Sequence, residues 1–266
     1  MLTTDYVPGS PCWLDLGVPD VPAALAFYGA VFGWEFADAG AAAGGYGFLR
    51  QDGYTVAGIG PRNGGEDRPS WTLYFATPDA KASAEAVERA GGSVRMPPMD
   101  VLGLGRMAAF ADPQGAEFSM WQPDVLTGVD EVSIPGTLCW TELYTTDAVG
   151  AAEFYRAALG WGTEVTDLPG GRENYTVVFP GTRKNAGPEH ACGGIMHLSA
   201  EELAPVGGPY WQPYFEVEEC DAAVTRVLAH GGDLRTEPSD HESVGRMALC
   251  VDPAGALFAI TTASEE

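Results

Sequence analysis

The sequence predicts an α+β fold that is a tandem repeat of two similar domains, each made of two βαβββ modules. Three observations predict it. The segment CWLDLGVPDVPAALAFYGAVFGW, Cys12–Trp34, recurs as CWTELYTTDAVGAAEFYRAALGW, Cys139–Trp161, with Cys, Trp, Asp, Tyr and Trp in register. Later in each copy SWTLYFATPD recurs as YWQPYFEVEE, and GRMAAFADPQGAEF recurs as GRMALCVDPAGALF. Strand-like and helix-like patterns follow one another twice in each copy, as a repeated module requires.

The repeats also predict the domain boundaries. We expect a first domain at residues 8–123, a linker at 124–134 and a second domain at 135–263. A chain of 266 residues with 45% hydrophobic residues is long and apolar enough for each domain to bury its own core.

The first strand and helix are predicted from residues 12–33. Alternation in the strand sends Cys12, Leu14 and Leu16 to one face and Trp13, Asp15 and Gly17 to the other. Asp20 is a suitable N-cap, and Gly33 is a suitable end for the helix. At helical spacing, the residues expected to pack back onto the strand are Val21, Ala24, Leu25, Tyr28 and Phe32.

The remaining elements follow the same rules. In the first domain we expect strands at Tyr46–Arg50, Tyr54–Ile59, Trp71–Ala76, Ser93–Met96, Met107–Ala111 and Glu117–Trp121, with a helix from Asp79 to Ala90. In the second domain we expect helices at Asp147–Leu159 and Asp221–His230. Loops at Pro180–Pro188 and Ser199–Pro209 should carry its extra residues.

The charge and cysteine content restrict the partners and the compartment. A net charge of −23 repels phosphate backbones and anionic lipids, so we expect no nucleic-acid and no membrane partner, whereas cationic small molecules are attracted. Solubility alone is the simpler explanation of this charge. Five cysteines without a CxxC pair indicate buried thiols in a reducing compartment. No secretory signal is recognisable, and we expect a cytoplasmic protein that is a monomer or a homodimer.

The paired βαβββ modules, the D…AxxFYxxxxGW helix and the GRMAxxxDPxGxxF segment resemble the vicinal oxygen chelate superfamily. That superfamily includes glyoxalases, ring-cleaving dioxygenases and bleomycin-resistance-type binding proteins. The resemblance is to its two-domain actinobacterial members and covers nearly the whole chain. It implies that each mixed sheet curls into a cup with helices on its outer face, and that metal-dependent members carry ligands at four strand positions inside the cup.

Those four positions are poor in metal ligands in this sequence. They hold Trp13 and Trp140, then Gly58, Gly60, Gly194 and Met196, then Thr72 and Gln212, then Ser119 and Ala259. A slip of one or two residues would bring in Asp15, Glu117, Glu142 or His197, yet no slip fills all four positions. We therefore predict no catalytic metal and no organic cofactor.

The cup-facing strand positions instead predict an aromatic, acidic ligand site. The candidate ligand-binding residues are Trp13, Asp15, Tyr74, Glu117 and Trp121 in the first domain and Trp140, Glu142, Tyr144, Gln212 and Tyr214 in the second. Arg106 and Arg246 follow loops expected at the cup mouths, where they could reach a ligand or pair with a nearby carboxylate. The alternative for Trp13 and Trp140 is that they fill a second core. No catalytic residue is identified.

These residues suit a metal-free small-molecule binding protein. We expect a flat aromatic, amphipathic ligand, which the acids allow to be cationic, such as an antibiotic or polyketide. The protein would sequester it, confer resistance or assist its biosynthesis, in the last case beside a biosynthetic oxygenase. The alternative is a metal-dependent glyoxalase-like lyase or isomerase, or a dioxygenase.

Overall fold

The computed structural model describes residues 2–62, 69–168, 172–181, 187–241 and 244–263. The first repeat contains β1 Pro11–Val18, α1 Val21–Phe32, β2 Glu35–Asp38, β3 Gly47–Gln51, β4 Tyr54–Pro61, β5 Ser70–Ala76, α2 Ala80–Arg89, β6 Ser93–Asp100, β7 Gly105–Ala111 and β8 Glu117–Pro123. The second contains β9 Leu138–Thr145, α3 Ala148–Leu159, β10 Gly162–Leu168, β11 Arg172–Phe179, β12 Gly193–His197, α4 Ala200–Leu203, β13 Tyr210–Glu216, α5 Cys220–Ala229, β14 Asp233–His241, β15 Gly245–Val251 and β16 Leu257–Ala263.

The strands form two eight-stranded mixed sheets with the same order. The first sheet runs β2-β3-β4-β1-β5-β8-β7-β6, and the second runs β10-β11-β12-β9-β13-β16-β15-β14. The pairs β1/β4, β5/β8, β9/β12 and β13/β16 are parallel. The predicted α+β tandem repeat is therefore confirmed.

The compact units of the chain do not coincide with the two repeats. One unit comprises Met1–Trp13, Thr72–Gly128 and Trp140–Trp211, and the other comprises Leu14–Trp71, Val129–Cys139 and Gln212–Glu266. Each unit thus contains one module from each repeat. We refer to them as unit 1 and unit 2.

The first strand and helix form where the sequence predicts them. Leu14, Leu16 and Val18 are fully buried on one face of β1, as the alternation requires. The Asp20 carboxylate accepts a hydrogen bond from the Ala23 N–H at 3.0 Å, and Gly33 ends α1 in the left-handed conformation. The buried residues of α1 are Ala24, Phe27, Tyr28 and Val31. The other residues of the predicted stripe, Val21, Leu25 and Phe32, are half-buried, and the Phe32 ring packs against Trp34 and Phe215 with centroids 4.7 and 5.2 Å away. Phe27 and Val31, which the predicted stripe did not include, lie one turn apart on the buried side of the helix.

The repeated motifs build the core of unit 1. The Tyr155 hydroxyl of α3 donates to the Asp112 carboxylate at 3.2 Å and accepts from Trp211 Nε1 at 2.9 Å. The same carboxylate accepts from the N–H groups of Gln114 and Ala116, which closes the DPQG turn. Tyr155 also stacks on Trp161 with a centroid separation of 5.0 Å. The FY and GW residues of the helix and the Asp of the turn are therefore one buried network.

Unit 2 contains the matching network. The Tyr28 hydroxyl donates to the Asp252 carboxylate at 3.1 Å and accepts from Trp71 Nε1 at 3.1 Å. Tyr28 and Trp34 are stacked at 5.6 Å. The recurrence of these motifs in both repeats is thus explained by folding, because each joins a helix to a turn through buried hydrogen bonds.

Two elements differ from the sequence prediction. The strand β2 was not predicted, because three of its four residues are exposed and it has no apolar alternation. The short helix α4 lies in the loop expected at Ser199–Pro209, where Ser199 and Glu202 form a capping box. The other expected loop, Pro180–Pro188, falls partly outside the described residues.

The part of the chain that the structure describes contains neither a disulfide nor a long apolar helix. All five cysteines are free, and Cys139 is half-buried while the other four are buried. Within the described ranges, no helix combines the length and apolar character needed to cross a bilayer.

Candidate functional site

Unit 1 carries a sheet face formed by β5, β8, β7 and β6, which we call the β5–β8 face. Strand partners point to the same side, so the pairing gives its rows directly. One row is Tyr74, Ser119, Ala109 and Met96, and the next is Ala76, Trp121, Met107 and Met99. The predicted residues Tyr74 and Trp121 therefore lie on neighbouring strands of one face, beside methionines that the sequence analysis did not single out.

The β5–β8 face is apolar and open at one edge. Met96 is 40% exposed and Met99 is 46% exposed, whereas Tyr74 and Trp121 are buried. Trp121 Nε1 donates to the Leu126 carbonyl at 2.7 Å, so the polar atom of the indole is already satisfied. What remains of Trp121 for a ligand is its ring, next to flexible thioether side chains.

Unit 2 carries the equivalent face, formed by β13, β16, β15 and β14, which we call the β13–β16 face. Its rows are Tyr214, Ala259, Leu249 and Thr236, then Glu216, Thr261, Met247 and Ser239. The position of Trp121 holds Thr261, and the positions of Met96 and Met99 hold the exposed residues Thr236 and Ser239. The outer strands β6 and β14 have register shifts at matching positions, so the two faces share the same backbone pairing. Their side chains differ, and those of the β13–β16 face are more polar.

A carboxylate and a tyrosine hydroxyl are paired in unit 2. Tyr46 donates to the Asp15 carboxylate at 3.1 Å. Gly58 lies next to them on β4, and a Cβ atom at Gly58 would collide with the Tyr46 hydroxyl. The glycine is therefore required by the tyrosine that occupies its side-chain space.

The same arrangement occurs in unit 1 with a larger network. Tyr175 is hydrogen-bonded to Glu142, accepts from Trp140 Nε1 at 3.0 Å, and occupies the space beside Gly194. Burial, followed by the charge of Glu142, raises the pKa of Tyr175 well above its usual value. The Tyr175 hydroxyl is therefore a neutral donor to the buried Glu142 at physiological pH.

These tyrosines decide whether a metal fits. The second predicted ligand position lies around Gly58 and Gly60 in the first repeat and around Gly194 and Met196 in the second. A tyrosine hydroxyl bonded to a carboxylate fills the side-chain space at Gly58 and at Gly194. The first position holds Trp13 or Trp140, whose indole has no lone pair to offer. Among the described residues, no three or more His, Cys, Asp or Glu side chains come together as a possible metal site. The side chains described at these positions do not fit a catalytic divalent metal.

The two arginines lie on the side of their strands that faces the helices. By alternation Arg106 is on the side of the buried Ala108 and Phe110, and Arg246 is on the side of the buried Ala248 and Cys250. Arg246 bonds to Asp221 at the start of α5, with Nη2 to Oδ1 at 2.9 Å, and to Asp240 at 3.2 Å. Arg246 thus pairs with carboxylates, the second of the two roles considered for it.

The other predicted residues differ in how accessible they are. Trp13, Tyr144 and Tyr214 are buried, and Trp140 and Asp15 are half-buried. Tyr144 packs against Tyr210 with centroids 5.2 Å apart. Glu117 is exposed, with a carboxylate oxygen 3.8 Å from Arg95 Nε. Gln212 is 1% exposed.

The residues that sequence reasoning missed are Tyr46, Tyr175, Met96 and Met99. A comparison of the two repeats contained the signal for the methionines, because MPPMD in the first aligns with TEPSD in the second. The signal for the tyrosines was a glycine beside the second ligand position in both repeats, Gly58 and Gly194. A strand glycine often marks close approach by another group.

Comparison with known proteins establishes the class. A profile of the Glyoxalase/Bleomycin resistance protein/Dioxygenase superfamily matches residues 12–120, and a Glyoxalase-like domain profile matches residues 140–261. The chain belongs to this superfamily, as a tandem protein with one such domain in each repeat.

Its relatives include biosynthetic proteins. The chain is 40% identical to the Anthracycline biosynthesis protein DnrV of Streptomyces peucetius, over 98% of this chain and 96% of that one. It is also 40% identical to the Anthracycline biosynthesis protein DauV of Streptomyces sp. (strain C5), with the same coverage. The Mn(II)-bound glyoxalase from Novosphingobium aromaticivorans shares the fold, with a TM-score of 0.66 and 20% identity over 97% of this chain and 83% of that one.

The acid–tyrosine network of unit 1 can be tested by changing the glycine beside it. Gly194→Ala should displace Tyr175 and break its bonds to Glu142 and Trp140, with a loss of about 1–3 kcal/mol in the free energy of unfolding. Urea denaturation measures this loss, and a changed tryptophan emission should accompany it. The matched control is Gly17→Ala, since a Cβ atom there meets only Arg62 at ordinary contact distance. Equal stabilities for the two variants would contradict the network.

Proposed function

We propose that this protein binds a flat aromatic polyketide on the β5–β8 face and acts as a non-catalytic accessory to the biosynthesis of that polyketide. The observation that carries the proposal is the row of Trp121, Met107 and Met99, which joins a buried indole to an exposed thioether. An exposed methionine pair on a strand has no role in the core and is suited to covering a ring.

The chemistry of this row favours an aromatic ligand. Methionine is flexible and polarisable, and sulfur–aromatic contacts contribute about 0.3–1.5 kcal/mol each. A ring lying across Met96 and Met99 would reach Trp121 once these side chains move aside. This face has few polar groups that would lose their hydration when a ligand binds. Most of the affinity would therefore come from burying apolar surface.

Charge supports a neutral or cationic ligand over an anionic one. The net charge is −23, and Glu117 lies at the end of the same face. Its contact with Arg95 is exposed at both partners, so it is weak and can be exchanged for a ligand cation.

The relatives support a role in biosynthesis. Two proteins that align over nearly the whole chain carry the name anthracycline biosynthesis protein. Anthracyclines are fused-ring aromatic polyketides, which is the shape that the β5–β8 face favours. Binding would present such a molecule to a biosynthetic enzyme, an oxygenase among the candidates, or keep it in solution in the cytoplasm.

The alternative, a glyoxalase-like lyase or a dioxygenase, has less support from the residues. Metal-dependent members of the superfamily use strand positions that here hold Trp13, Gly58, Trp140 and Gly194. The tyrosine hydroxyls beside the two glycines occupy the space that a ligand set would need.

The proposal is tested by giving the first repeat the residues of the second. The double variant Met96→Thr, Met99→Ser should bind a water-soluble aminoalkyl-anthraquinone about tenfold more weakly than the parent in isothermal titration calorimetry, because two sulfur–aromatic contacts are lost. The control is Val125→Ser, which removes an apolar side chain that is 74% exposed and lies outside the face. Unchanged affinity in the double variant, or equal losses in both, would contradict the assignment.

A further inference from the structure

The β13–β16 face of unit 2 contains a buried side chain whose hydrogen-bonding groups are both unused. Gln212 is 1% exposed, and neither its Oε1 nor its Nε2 has a hydrogen-bond partner. In the part of the chain that the structure describes, it is the one side chain with two buried polar atoms that both lack a partner. Gln51, the other glutamine with an unsatisfied oxygen, uses its Nε2 to donate to the Pro135 carbonyl at 2.8 Å.

This arrangement is unfavourable in the unliganded protein. Each buried polar group without a partner costs about 1–3 kcal/mol, and native proteins keep few of them. A leucine or methionine at this position would avoid the cost. A buried glutamine at this position is explained most simply by a partner that comes from outside the chain.

A second unsatisfied group lies on the same face. Thr261 Oγ1 is buried without a partner. Thr261 pairs with Glu216, four residues along β13 from Gln212, so the two polar groups are separated by about 13 Å along the strands, at a rise of ~3.3 Å per residue. Tyr214 and the small Ala259 occupy the row between them. Both are buried, at 4% and 0% exposed, so a covered row with one aromatic ring and one small side chain lies between two unused polar groups.

The side-chain amide of Gln212 determines which ligand group can pair with it. A glutamine side chain presents a donor beside an acceptor, and the matching arrangement is found in a primary carboxamide or a lactam. The Thr261 hydroxyl can donate to or accept from a second polar substituent at the far end of the molecule.

We propose that the β13–β16 face is a second ligand site, which binds a fused-ring aromatic molecule through a carboxamide or lactam paired with Gln212. The ring lies along Tyr214 and Ala259, and its far substituent meets Thr261. Entry displaces the side chains that cover the amide, and the two hydrogen bonds formed there are gained from groups that were unsatisfied. This site lies on another face from the one assigned to polyketide binding and does not depend on it.

The test compares two naphthalene probes of similar size, one with a hydrogen-bond donor and one without. Naphthalene-2-carboxamide supplies both a donor and an acceptor, and methyl naphthalene-2-carboxylate supplies acceptors alone. The parent chain should bind the carboxamide about tenfold more tightly in isothermal titration calorimetry, as expected for a hydrogen bond to a buried group. Gln212→Met, which keeps the shape of the side chain and removes its polar groups, should reduce that preference to less than about twofold.

Thermal unfolding gives a second readout. If Gln212 only stabilised the fold, its replacement would lower the unfolding temperature and leave the carboxamide preference unchanged. The unliganded Gln212→Met variant should unfold at the same temperature as the parent or higher, because two unsatisfied groups are removed. Gln212→Leu serves the same purpose if the methionine variant folds poorly. The matched control is Thr72→Val at the equivalent position of β5, which should leave the carboxamide preference intact.

Three results would overturn the proposal. These are equal affinities of the parent chain for the two probes, a preference that persists in both Gln212 variants, and a loss of stability together with an unchanged preference. Binding of the ester without any carboxamide preference would reject this site and leave polyketide binding on the β5–β8 face intact. Failure of the anthraquinone to bind would reject that earlier proposal alone.

Discussion

Replacing Tyr155 with phenylalanine is expected to lower the free energy of unfolding by about 2–4 kcal/mol, because one hydroxyl satisfies two buried partners. Without it the Asp112 carboxylate loses a donor and Trp211 Nε1 loses its acceptor. Both partners lie within unit 1, and the ring of Tyr155 remains stacked on Trp161, so the loss reports the hydroxyl alone. Urea denaturation followed by far-ultraviolet circular dichroism measures it.

The same variant should show a defined pH dependence. Burial raises the pKa of Asp112, and the N–H groups of Ala116 and Gln114 and the Tyr155 hydroxyl oppose part of that rise. A folded-state pKa above the unfolded value means that ionisation of Asp112 costs stability as the pH rises through that interval. Loss of the hydroxyl makes ionisation costlier, so the destabilisation should be larger at about pH 7 than near pH 4.

The control for this prediction is Tyr54→Phe, since Tyr54 is 52% exposed and its change should alter stability by less than about 0.5 kcal/mol. Tyr28→Phe should reproduce the loss in unit 2, because Tyr28 joins Asp252 and Trp71 in the same way. A Tyr155 variant as stable as the parent would show that the repeated helix motif is not held by this network.

Replacing Trp121 with alanine is expected to weaken binding of the aminoalkyl-anthraquinone by about 1–3 kcal/mol, the range observed when aromatic platforms for flat rings are removed. Trp121 is the one indole in the two rows of the β5–β8 face, and its neighbours across the strands are Met107 and Ala76. Calorimetric titration of the parent and variant measures the difference. Circular dichroism establishes that the variant is folded.

Trp121→Leu keeps more of the packing and serves where the alanine variant is too unstable. The control is Trp140→Ala, because Trp140 lies on β9 and is bonded to Tyr175 rather than placed on this face. We expect Trp140→Ala to change the affinity less than Trp121→Ala. The reverse order would move the main aromatic contact to the region of Trp140, Glu142 and Tyr175.

Most of the fold was predictable from the sequence for a physical reason. The caps Asp20 and Asp79 and the terminating glycines act through local hydrogen bonds and backbone geometry, which the local sequence specifies. The strand β2 was missed because its residues are exposed and carry no alternation. The composition of the compact units depends on packing between segments far apart in sequence, about which local patterns contain no information.

The candidate site was only partly predictable. Alternation along single strands found Tyr74 and Trp121, because period-two patterns assign faces reliably once a strand is recognised. The same alternation places Arg106 and Arg246 on the helix-facing side, which the loops that precede them in the sequence do not reveal. Tyr46 and Tyr175 each meet a carboxylate that is distant in sequence, Asp15 of β1 and Glu142 of β9, so local patterns do not reveal these contacts.

The central claim, that a flat aromatic molecule binds on the β5–β8 face, is tested most directly by methyl resonances of methionine. The chain contains seven methionines, and three of them, Met96, Met99 and Met107, lie on this face. Titration of methyl-¹³C-methionine-labelled protein with the aminoalkyl-anthraquinone should shift these three signals through ring currents. The signals of Met120, which is fully buried, and of Met196 on β12 should remain in place. Saturable shifts at Met196 alone, or no shift of Met96, Met99 and Met107 at saturating ligand, would contradict the account.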